Sequence, residues 1–321
     1  MLQDDIERKK GYMAAVAFSI LVGFSFLGVK VCQSHTESLN VLCYRYDFAF
    51  VVIMILVISG IIKLDIMTKP KKKLLLTAGF YVGFMALQVI GLAYSTSVEG
   101  SIIFAIVPII VKVIASVFLK ERSTWLGNIF VCLTVAALIF MIVMGAGDGD
   151  LEINPLGTVL LLLSSVSMAL SNIFMRYTRD EYKPVEVTFT IVIIGFIGFN
   201  CAMVVKSIIC GDSITDYFAP LATPQVFVSA GYLGIGCILL SAHLTTYMLG
   251  RLEAVKGTIF GNVSTAISIV VGVIVLGESL MWYHILCTIC IIAGVVGLSR
   301  SGSREAVSPD DAETSGGKSN G

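Results

Sequence analysis

The sequence predicts an all-α integral membrane protein with about ten transmembrane helices, arranged as two inverted repeats of five helices each. Three observations lead to this fold class: the composition, a regular succession of apolar runs, and a stretch that occurs twice. The chain is 56% apolar and only 14% charged, against roughly 45–50% and about 25% in soluble domains. Water is therefore not the main solvent of this chain.

Apolar runs of about twenty residues, the length that a helix needs to cross a hydrocarbon core of ~30 Å, follow one another from Gly11 almost to Arg300. The predicted spans are 11–30, 40–62, 74–94, 98–119, 124–145, 155–176, 185–209, 226–249, 254–276 and 282–300. The charged segment before Gly11 does not fit a cleavable signal peptide, so we expect the first helix to remain in the mature protein.

A stretch that ends in tryptophan occurs twice: the residues from Val117 to Trp125 recur as those from Ile274 to Trp282. Basic residues flank the glutamate of the first copy and are missing from the second. Because Lys and Arg mark the cytoplasmic side of short loops, the two copies are expected on opposite faces of the membrane. This pattern indicates an inverted repeat, a feature of many transporters. We predict a first repeat over 11–145 and a second over 155–299.

Basic residues fall in alternate loops, which predicts that both termini are cytoplasmic and that the protein is a multi-pass protein of the cell membrane. These residues are Arg8, Lys9, Lys10, Lys63, Lys69, Lys71, Lys72, Lys73, Lys120, Arg122, Arg176, Arg179, Lys183, Arg251, Lys256, Arg300 and Arg304. They indicate solvated loops facing lipid headgroups rather than nucleic-acid binding. Residues 1–10 form the predicted cytoplasmic N-terminus, and the polar tail 301–321 is predicted to be disordered.

Charged side chains inside the spans are expensive in a membrane and suggest function: Arg45, Asp47 and Lys112. Arg45 has two open interpretations, a structural role with its side chain reaching the interface, or a place in a central cavity. Lys112 lies deeper, about 12 Å from Lys120 along its helix. Either its stem reaches toward the cytoplasmic interface, or its ammonium meets an anionic group of a substrate.

Uncharged polar and aromatic side chains within the spans either bond neighbouring helices or contact a substrate. The substrate-binding candidates beside Lys112 are His243, Asn172, Asn262, Gln88, Tyr81 and Tyr247. Candidates for coupling or structural roles are Arg45, Asp47, Glu121, Glu278 and Pro108. Asp47 and His243 are the titratable groups available for proton coupling, and the two glutamates follow repeat-related helices, where they cap a helix or take part in gating.

Enzymatic and metal functions find little support. Cys287 and Cys290 form an isolated CxxC, and the acidic segment from Asp148 to Asn154 lacks the Gly and bidentate Glu of a calcium loop. Tyr46 and Asp47 resemble one piece of an intramembrane aspartyl protease, but Asp148 lies at a helix end rather than opposite Asp47. No phosphate-binding P-loop is present. We therefore expect no cofactor, no metal and no catalysis.

Four pieces together resemble the EamA family of the drug/metabolite transporter superfamily: Arg45, Pro108, Leu119-Lys120-Glu121 and Leu276-Gly277-Glu278. The resemblance implies two repeats around a central cavity that opens to each side in turn, and export or exchange of small metabolites such as amino acids. Lys112 and Thr265 depart from the family pattern and leave the substrate undetermined. The rival class is a non-transporting receptor or assembly factor, and either a monomer or a homodimer agrees with the sequence.

Overall fold

The structure is a computed structural model that describes residues 2–66, 69, 71–119, 125–147, 154–178, 181–211, 213–241, 243–244 and 254–303. In these ranges the protein is helical and contains no strand. The all-α prediction therefore holds for the part of the chain that the structure describes.

Within the described residues, the first repeat contains seven helical segments, because two of its predicted spans are interrupted. These segments are α1 (Leu2–Gly23), α2 (Ser25–Gln33), α3 (Ser38–Ile58), α4 (Lys71–Ala93), α5 (Ser97–Phe104), α6 (Val107–Leu119) and α7 (Trp125–Gly147). The first span is interrupted at Phe24 and the fourth at Ala105 and Ile106. The second interruption precedes Pro108, which lacks the N–H that would continue the hydrogen-bond ladder of a helix.

The second repeat shows a different irregularity in its third predicted span. Its α-helices with described bounds are α8 (Pro155–Thr178), α9 (Pro184–Cys210), α10 (Ile214–Phe218), α11 (Pro224–Gly231), α12 (Ala254–Leu276) and α13 (Trp282–Ser303). A short 3₁₀ helix over Ala219–Ala222 precedes α11, and a π-helix over Tyr232–Leu240 follows it. The π-helix contains Gly234 and Gly236, the pair that weakens helical hydrogen bonding in this span.

Length and composition allow five helices within the described residues to cross a membrane. They comprise Lys10–Gln33, Ser38–Ile58, Lys71–Ala93, Pro155–Met175 and Pro184–Cys210. A sixth is the bent pair of Thr215–Ala222 and Pro224–Leu240, whose parts meet at 93°. Three shorter apolar helices accompany them. The outer surface of the bundle is also apolar, as Ile58 and Ile208 illustrate with exposed fractions of 78% and 77%, so these side chains are placed to contact lipid.

The packing pairs helices that occupy equivalent positions in the two repeats. Helix α3 packs on α9, α7 packs on α13, and α5 packs on α12. Reciprocal contacts also occur: α4 packs on α8, while α2 packs on α11 and the π-helix. Pairs of this kind are the signature of a twofold relationship, in which the same surface of each half meets its counterpart. The core of the protein therefore lies between the repeats.

Candidate functional site

A carboxylate from the second repeat caps a helix of the first repeat. The backbone N–H groups of Ser97 and Val98 donate to Oε1 and Oε2 of Glu278, at 2.8 and 2.9 Å. Thr96 and Glu99 complete the cap, because each accepts a hydrogen bond from the backbone N–H of the other, both at 3.1 Å. The first N–H groups of a helix lack partners within the helix and favour negative charge. The N-terminus of α5 is thus closed by groups from both repeats.

Two glycines place this carboxylate. Gly277 ends α12 with φ +66°, a left-handed conformation that costs glycine little. The turn lets the N–H of Glu278 donate to the carbonyl of Gly272 at 3.2 Å. A Cβ added at Gly272 would lie 2.9 Å from Oε2 of Glu278. Gly272 therefore leaves the space that the carboxylate occupies.

Further charged groups surround the cap, and we call this part of the bundle the Glu278 end. Lys30 donates to the carbonyl oxygens of Leu92 and Ser95, at the end of α4 and in the following turn. Its ammonium lies within electrostatic range of Glu99 and Glu278. His284, with a side chain only 1% exposed, lies within range of the same two carboxylates. Ionisable side chains from α2, α5, α13 and the turn after α12 thus meet at one end of the bundle.

One turn into the bundle, a second hydrogen bond joins the repeats. The Ser101 hydroxyl lies 2.8 Å from the Ser268 hydroxyl, and both side chains are buried. Ser101 also donates to the carbonyl of Ser97. The contact between α5 and α12 is therefore polar over more than one helical turn, and small side chains allow the two helices to approach closely.

The second notable group is Arg45, which lies in α3 with only 2% of its surface exposed. Its Nε and Nη1 nitrogens are buried and have no hydrogen-bond partner. A guanidinium remains charged in proteins, and a buried charge without a partner is strongly unfavourable. The ion pairs of Lys69 with Glu186, Lys73 with Glu181 and Lys206 with Glu37 do not involve Arg45.

Elements from both repeats converge around this guanidinium. Its charge acts on the side chains of Cys32 in α2, Tyr81 in α4 and Cys237 in the π-helix. Helix α3 approaches the π-helix very closely, because a Cβ added at Gly234 would lie 2.3 Å from the Arg45 carbonyl oxygen. Arg45 is thus held at the junction of three helices and the π-helix.

Comparison with known proteins assigns the family. Residues 9–143 and 155–300 match the model of the EamA-like transporter family, once in each repeat. The chain belongs to the EamA-like transporter family. This result confirms the resemblance found in the sequence and places the protein in the drug/metabolite transporter superfamily.

Relatives of this EamA-like protein span nearly the same length. The uncharacterized transporter YcxC of Bacillus subtilis (strain 168) is 36% identical over 91% of this chain and 93% of the relative. The uncharacterized transporter YyaM of the same organism is 20% identical over 89% and 92%. A solved structure at 12% identity, with a TM-score of 0.61, covers 94% of this chain and 99% of its own; it supports the fold alone.

The family assignment makes this EamA-like chain a multi-pass membrane protein that handles a small-molecule substrate in a lipid bilayer. Its relatives are named as transporters rather than enzymes. The apolar helices of the structure agree with this class. The substrate remains to be derived from the site itself.

The remaining predicted site residues of this EamA-like protein are dispersed. Tyr81 and Gln88 lie two turns apart on α4, with Gln88 8% exposed. Asn172 is half-buried on α8, whereas His243 is exposed beyond the π-helix. Lys112 and Asn262 lie on α6 and α12, where the structure describes only their backbone. Tyr247 and Glu121 lie outside the described residues, and Pro108 is the second residue of α6.

Asp47 joins three elements at the middle of α3. It accepts hydrogen bonds from the Asn200 amide of α9, at 2.8 Å, and from the Tyr217 hydroxyl of α10. The Tyr44 hydroxyl donates to the carbonyl of Tyr217. These contacts fix α10 to α3 and α9. They give Asp47 partners that differ from those around Arg45, two residues earlier on the same helix.

A polar groove opens at the Glu278 end beside the charged cluster. It has a volume of about 620 Å³ and is lined by Lys30, Gln33, Ser34, Thr36, Glu37, Ser38 and Ala93. The groove lies where α2 ends, α3 begins and α4 ends. Its size suits a small molecule, and Lys30 connects it to the cap of α5.

The opposite end of the bundle is tied by a buried glutamate. Glu186 near the start of α9 accepts hydrogen bonds from the backbone N–H groups of Asp65 and Lys183 and from the Lys69 ammonium, at 2.8 to 2.9 Å. Its side chain has no exposed surface. The segment that connects α3 to α4 is therefore fixed to the second repeat.

Sequence reasoning missed the cluster at the Glu278 end as a unit. A signal for part of it exists, since Thr96 and Glu99 have the Thr-x-x-Glu spacing of a capping box before an apolar run. Lys30 and His284 carry no local signal of their own, because their partners lie on distant helices. The contact of Glu278 with α5 becomes visible only when the two repeats are packed together.

Proposed function

We propose that this EamA-like protein is a secondary transporter that exports or exchanges small metabolites, amino acids among them, across the cytoplasmic membrane by alternating access. In this proposal the chain crosses the membrane ten times, and both termini lie in the cytoplasm. The repeats 11–145 and 155–299 form the two halves, which places the Glu278 end on the outer side. The functional unit is a monomer or a homodimer.

The observation that carries this proposal is the contact between Glu278 and the N-terminus of α5. It closes one end of the interface between the repeats with hydrogen bonds to a single carboxylate. Hydrogen bonds to a charged group contribute about 1.5–3 kcal/mol each. Such a contact holds one state closed, yet it breaks without unfolding either helix. This is the kind of differential contact that two alternating states require.

The repeat suggests a corresponding contact at the other end. Glu121 follows α6 in the first repeat as Glu278 follows α12 in the second, within the repeated stretch. We therefore include Glu121 as the counterpart that closes the cytoplasmic end when the outer end opens. Pro108, beside the interruption between α5 and α6, gives this part of the bundle a place to bend.

Lys112 remains a substrate-binding candidate in this proposal, with its ammonium meeting an anionic group of the metabolite. The Lys112→Ala variant tests this role. Flux of an anionic substrate is expected to fall, while the amount of folded protein stays the same. Unchanged flux of every transported anion would remove Lys112 from the binding site.

The test of transport begins with a metabolite comparison of cells that express the protein and cells that lack it. A metabolite that changes is then loaded into proteoliposomes with an imposed pH gradient, and its flux is measured. Flux that depends on the protein supports transport, and acceleration by the gradient supports proton coupling, for which Asp47 and His243 are the candidates. If no metabolite differs and no flux occurs, the non-transporting alternative replaces the proposal.

The orientation has a separate test. Glu37 precedes the start of α3, and Lys72 lies at the start of α4, at the opposite end of the bundle. If the proposed topology is right, cysteines introduced at these two positions lie on opposite sides of the membrane. A membrane-impermeant maleimide added to intact cells is expected to label position 37 and to spare position 72. The reverse pattern would invert the bundle and with it the assignment of the outer end.

A further inference from the structure

The geometry points to Arg45 as the anchor for a carboxylate group of the substrate, an inference that rests on the transport function proposed above. The argument starts from the guanidinium itself. Nε and Nη1, which carry three of its five N–H groups, are buried and have no partner. Because an isolated buried cation is unfavourable, a bound anion would supply the partner that the protein lacks.

The acidic side chains nearest to Arg45 in sequence are engaged elsewhere. Asp47 is held by Asn200 and Tyr217, and residues two apart on a helix point to different faces. Glu37 pairs with Lys206 at the Glu278 end. Neither of these two carboxylates therefore pairs with the Arg45 guanidinium.

The depth of Arg45 suits a substrate site. It lies seven residues into α3, about 10 Å along the axis from the end at which this helix begins. Tyr81, on which its charge acts, lies ten residues into α4, about 15 Å from the other end of the bundle. The site is thus remote from both ends, as alternating access requires.

The surroundings indicate what the anion is attached to. Tyr81 is partly exposed and lies within electrostatic range of Arg45. An edge-to-face contact joins it to Phe84 at 5.4 Å between ring centroids, and Phe84 lies 5.7 Å from Phe104. The buried Tyr46 hydroxyl, also without a partner, supplies a neutral donor or acceptor.

One cation among aromatic and apolar walls matches a singly charged anion with an uncharged body. A planar guanidinium pairs well with a carboxylate, which can accept two parallel N–H donors. A phosphate ester carries more charge at neutral pH than Arg45 alone balances. We therefore assign the site to small carboxylic acids, amino acids included.

The experiment uses the full-length protein purified in detergent and three matched pairs of probes: benzoate and benzamide, L-leucine and L-leucinamide, and L-phenylalanine and L-phenylalaninamide. Inorganic phosphate is the seventh probe. At least one carboxylate is expected to raise the Tm of the protein, whereas its amide does not. A ligand that binds only the folded state raises its stability in this way. Equal shifts with an amide, shifts with phosphate alone, or no shift with any carboxylate would overturn the inference.

Two variants of Arg45 sharpen the test. Arg45→Met removes the uncompensated charge, so it is expected to raise the Tm of the ligand-free protein while abolishing the shift with the carboxylate. Arg45→Lys keeps the charge but lacks the planar set of donors. We expect it to raise the carboxylate concentration needed for the same Tm shift at least tenfold. Lys206→Met, which removes an exposed cation, is the matched control and keeps the full shift.

A lower Tm of the ligand-free Arg45→Met protein would mean that the guanidinium already has a partner, and the inference would fail. It would also fail if Lys112→Ala abolished the carboxylate shift while both Arg45 variants retained it. Flux in proteoliposomes separates the two proposals. Binding of a carboxylate through Arg45 without flux contradicts transport alone, whereas flux of a substrate without a carboxylate contradicts the role of Arg45 alone.

Discussion

Oε2 of Glu278 lies 2.9 Å from the backbone nitrogen of Val98, which precedes it by 180 residues. The bond joins the end of α12 in the second repeat to the start of α5 in the first. Because the partner of the carboxylate is main chain, the contact depends on Glu278 alone among side chains.

Replacement of Glu278 by Gln keeps the shape of the side chain and removes its charge and one acceptor. The cap of α5 is expected to weaken by about 1–2 kcal/mol, which corresponds to roughly tenfold more frequent opening of this end. We expect Ser97→Cys to react about ten times faster with an impermeant maleimide in the Glu278→Gln background. Mass spectrometry measures modification at position 97. The control is Glu37→Gln at an exposed glutamate, and equal rates in both backgrounds would contradict the role of the cap.

Gly272→Ala acts on the same contact from a different residue. The added methyl group would meet Oε2 of Glu278 at 2.9 Å, so the carboxylate has to shift and its hydrogen bonds to α5 are expected to weaken. The labelling rate at position 97 is expected to rise as it does with Glu278→Gln. Combined with Glu278→Gln, the alanine should add little, because both changes remove one interaction. Gly79→Ala, where a Cβ meets nothing within 4 Å, is the control; additive effects would indicate separate causes.

Glu186→Gln tests the opposite end of the bundle. The carboxylate accepts from Lys69 and from two backbone N–H groups with no exposed surface, so a neutral amide leaves buried donors without partners. We expect a loss of about 2 kcal/mol in the free energy of unfolding, measured by thermal unfolding in detergent. Glu181→Gln removes the partner of Lys73 in a more exposed pair and should change stability by less than about 1 kcal/mol. Similar losses in both variants would refute a special role for Glu186.

Gly195→Ala tests the packing of α3 against α9. A Cβ at Gly195 would lie 2.1 Å from the Tyr46 ring, and overpacking of this kind costs about 1–3 kcal/mol. Gly198, three residues later on α9, has nothing within 4 Å of an added Cβ. Gly198→Ala should therefore leave stability unchanged or raise it by up to about 1 kcal/mol. Thermal unfolding of the two variants compares them directly, and an equal or larger loss at position 198 would show that the two repeats pack differently.

Much of the fold could be predicted from the sequence because lipid imposes a simple pattern on a chain. Apolar length fixes the helices, and the repeated stretch before Trp125 and Trp282 indicated two related halves. The family assignment followed from Arg45, Pro108 and the two glutamate turns. Irregular backbone was harder to predict. Pro108 and the pair Gly234 and Gly236 indicate where regular helical hydrogen bonding is interrupted. The extent of the π-helix over Tyr232–Leu240 depends on how neighbouring helices pack, which a single helix does not reveal.

The site was predicted less completely, and for a physical reason. From the sequence, Arg45 and Asp47 are equivalent candidates, because each is a charged residue within a span. In the structure, Asp47 accepts hydrogen bonds from two donors, whereas two nitrogens of Arg45 have no acceptor. Only packing distinguishes the two. The roles assigned to Lys112, Glu121 and Tyr247 stay predictions, since their side chains lie outside the described part of the chain.

Equivalent helices of the two repeats face each other in α3 with α9, α7 with α13 and α5 with α12. Natural variation in one half is therefore constrained by the other. On α9, Gly195 leaves space for the ring of Tyr46. About one and a half turns further along α9, the Asn200 amide donates a hydrogen bond to the carboxylate of Asp47. The two halves have diverged in sequence, but they have not done so independently. A substitution at such a contact in one half requires a compensating substitution about 150 residues away in the other half.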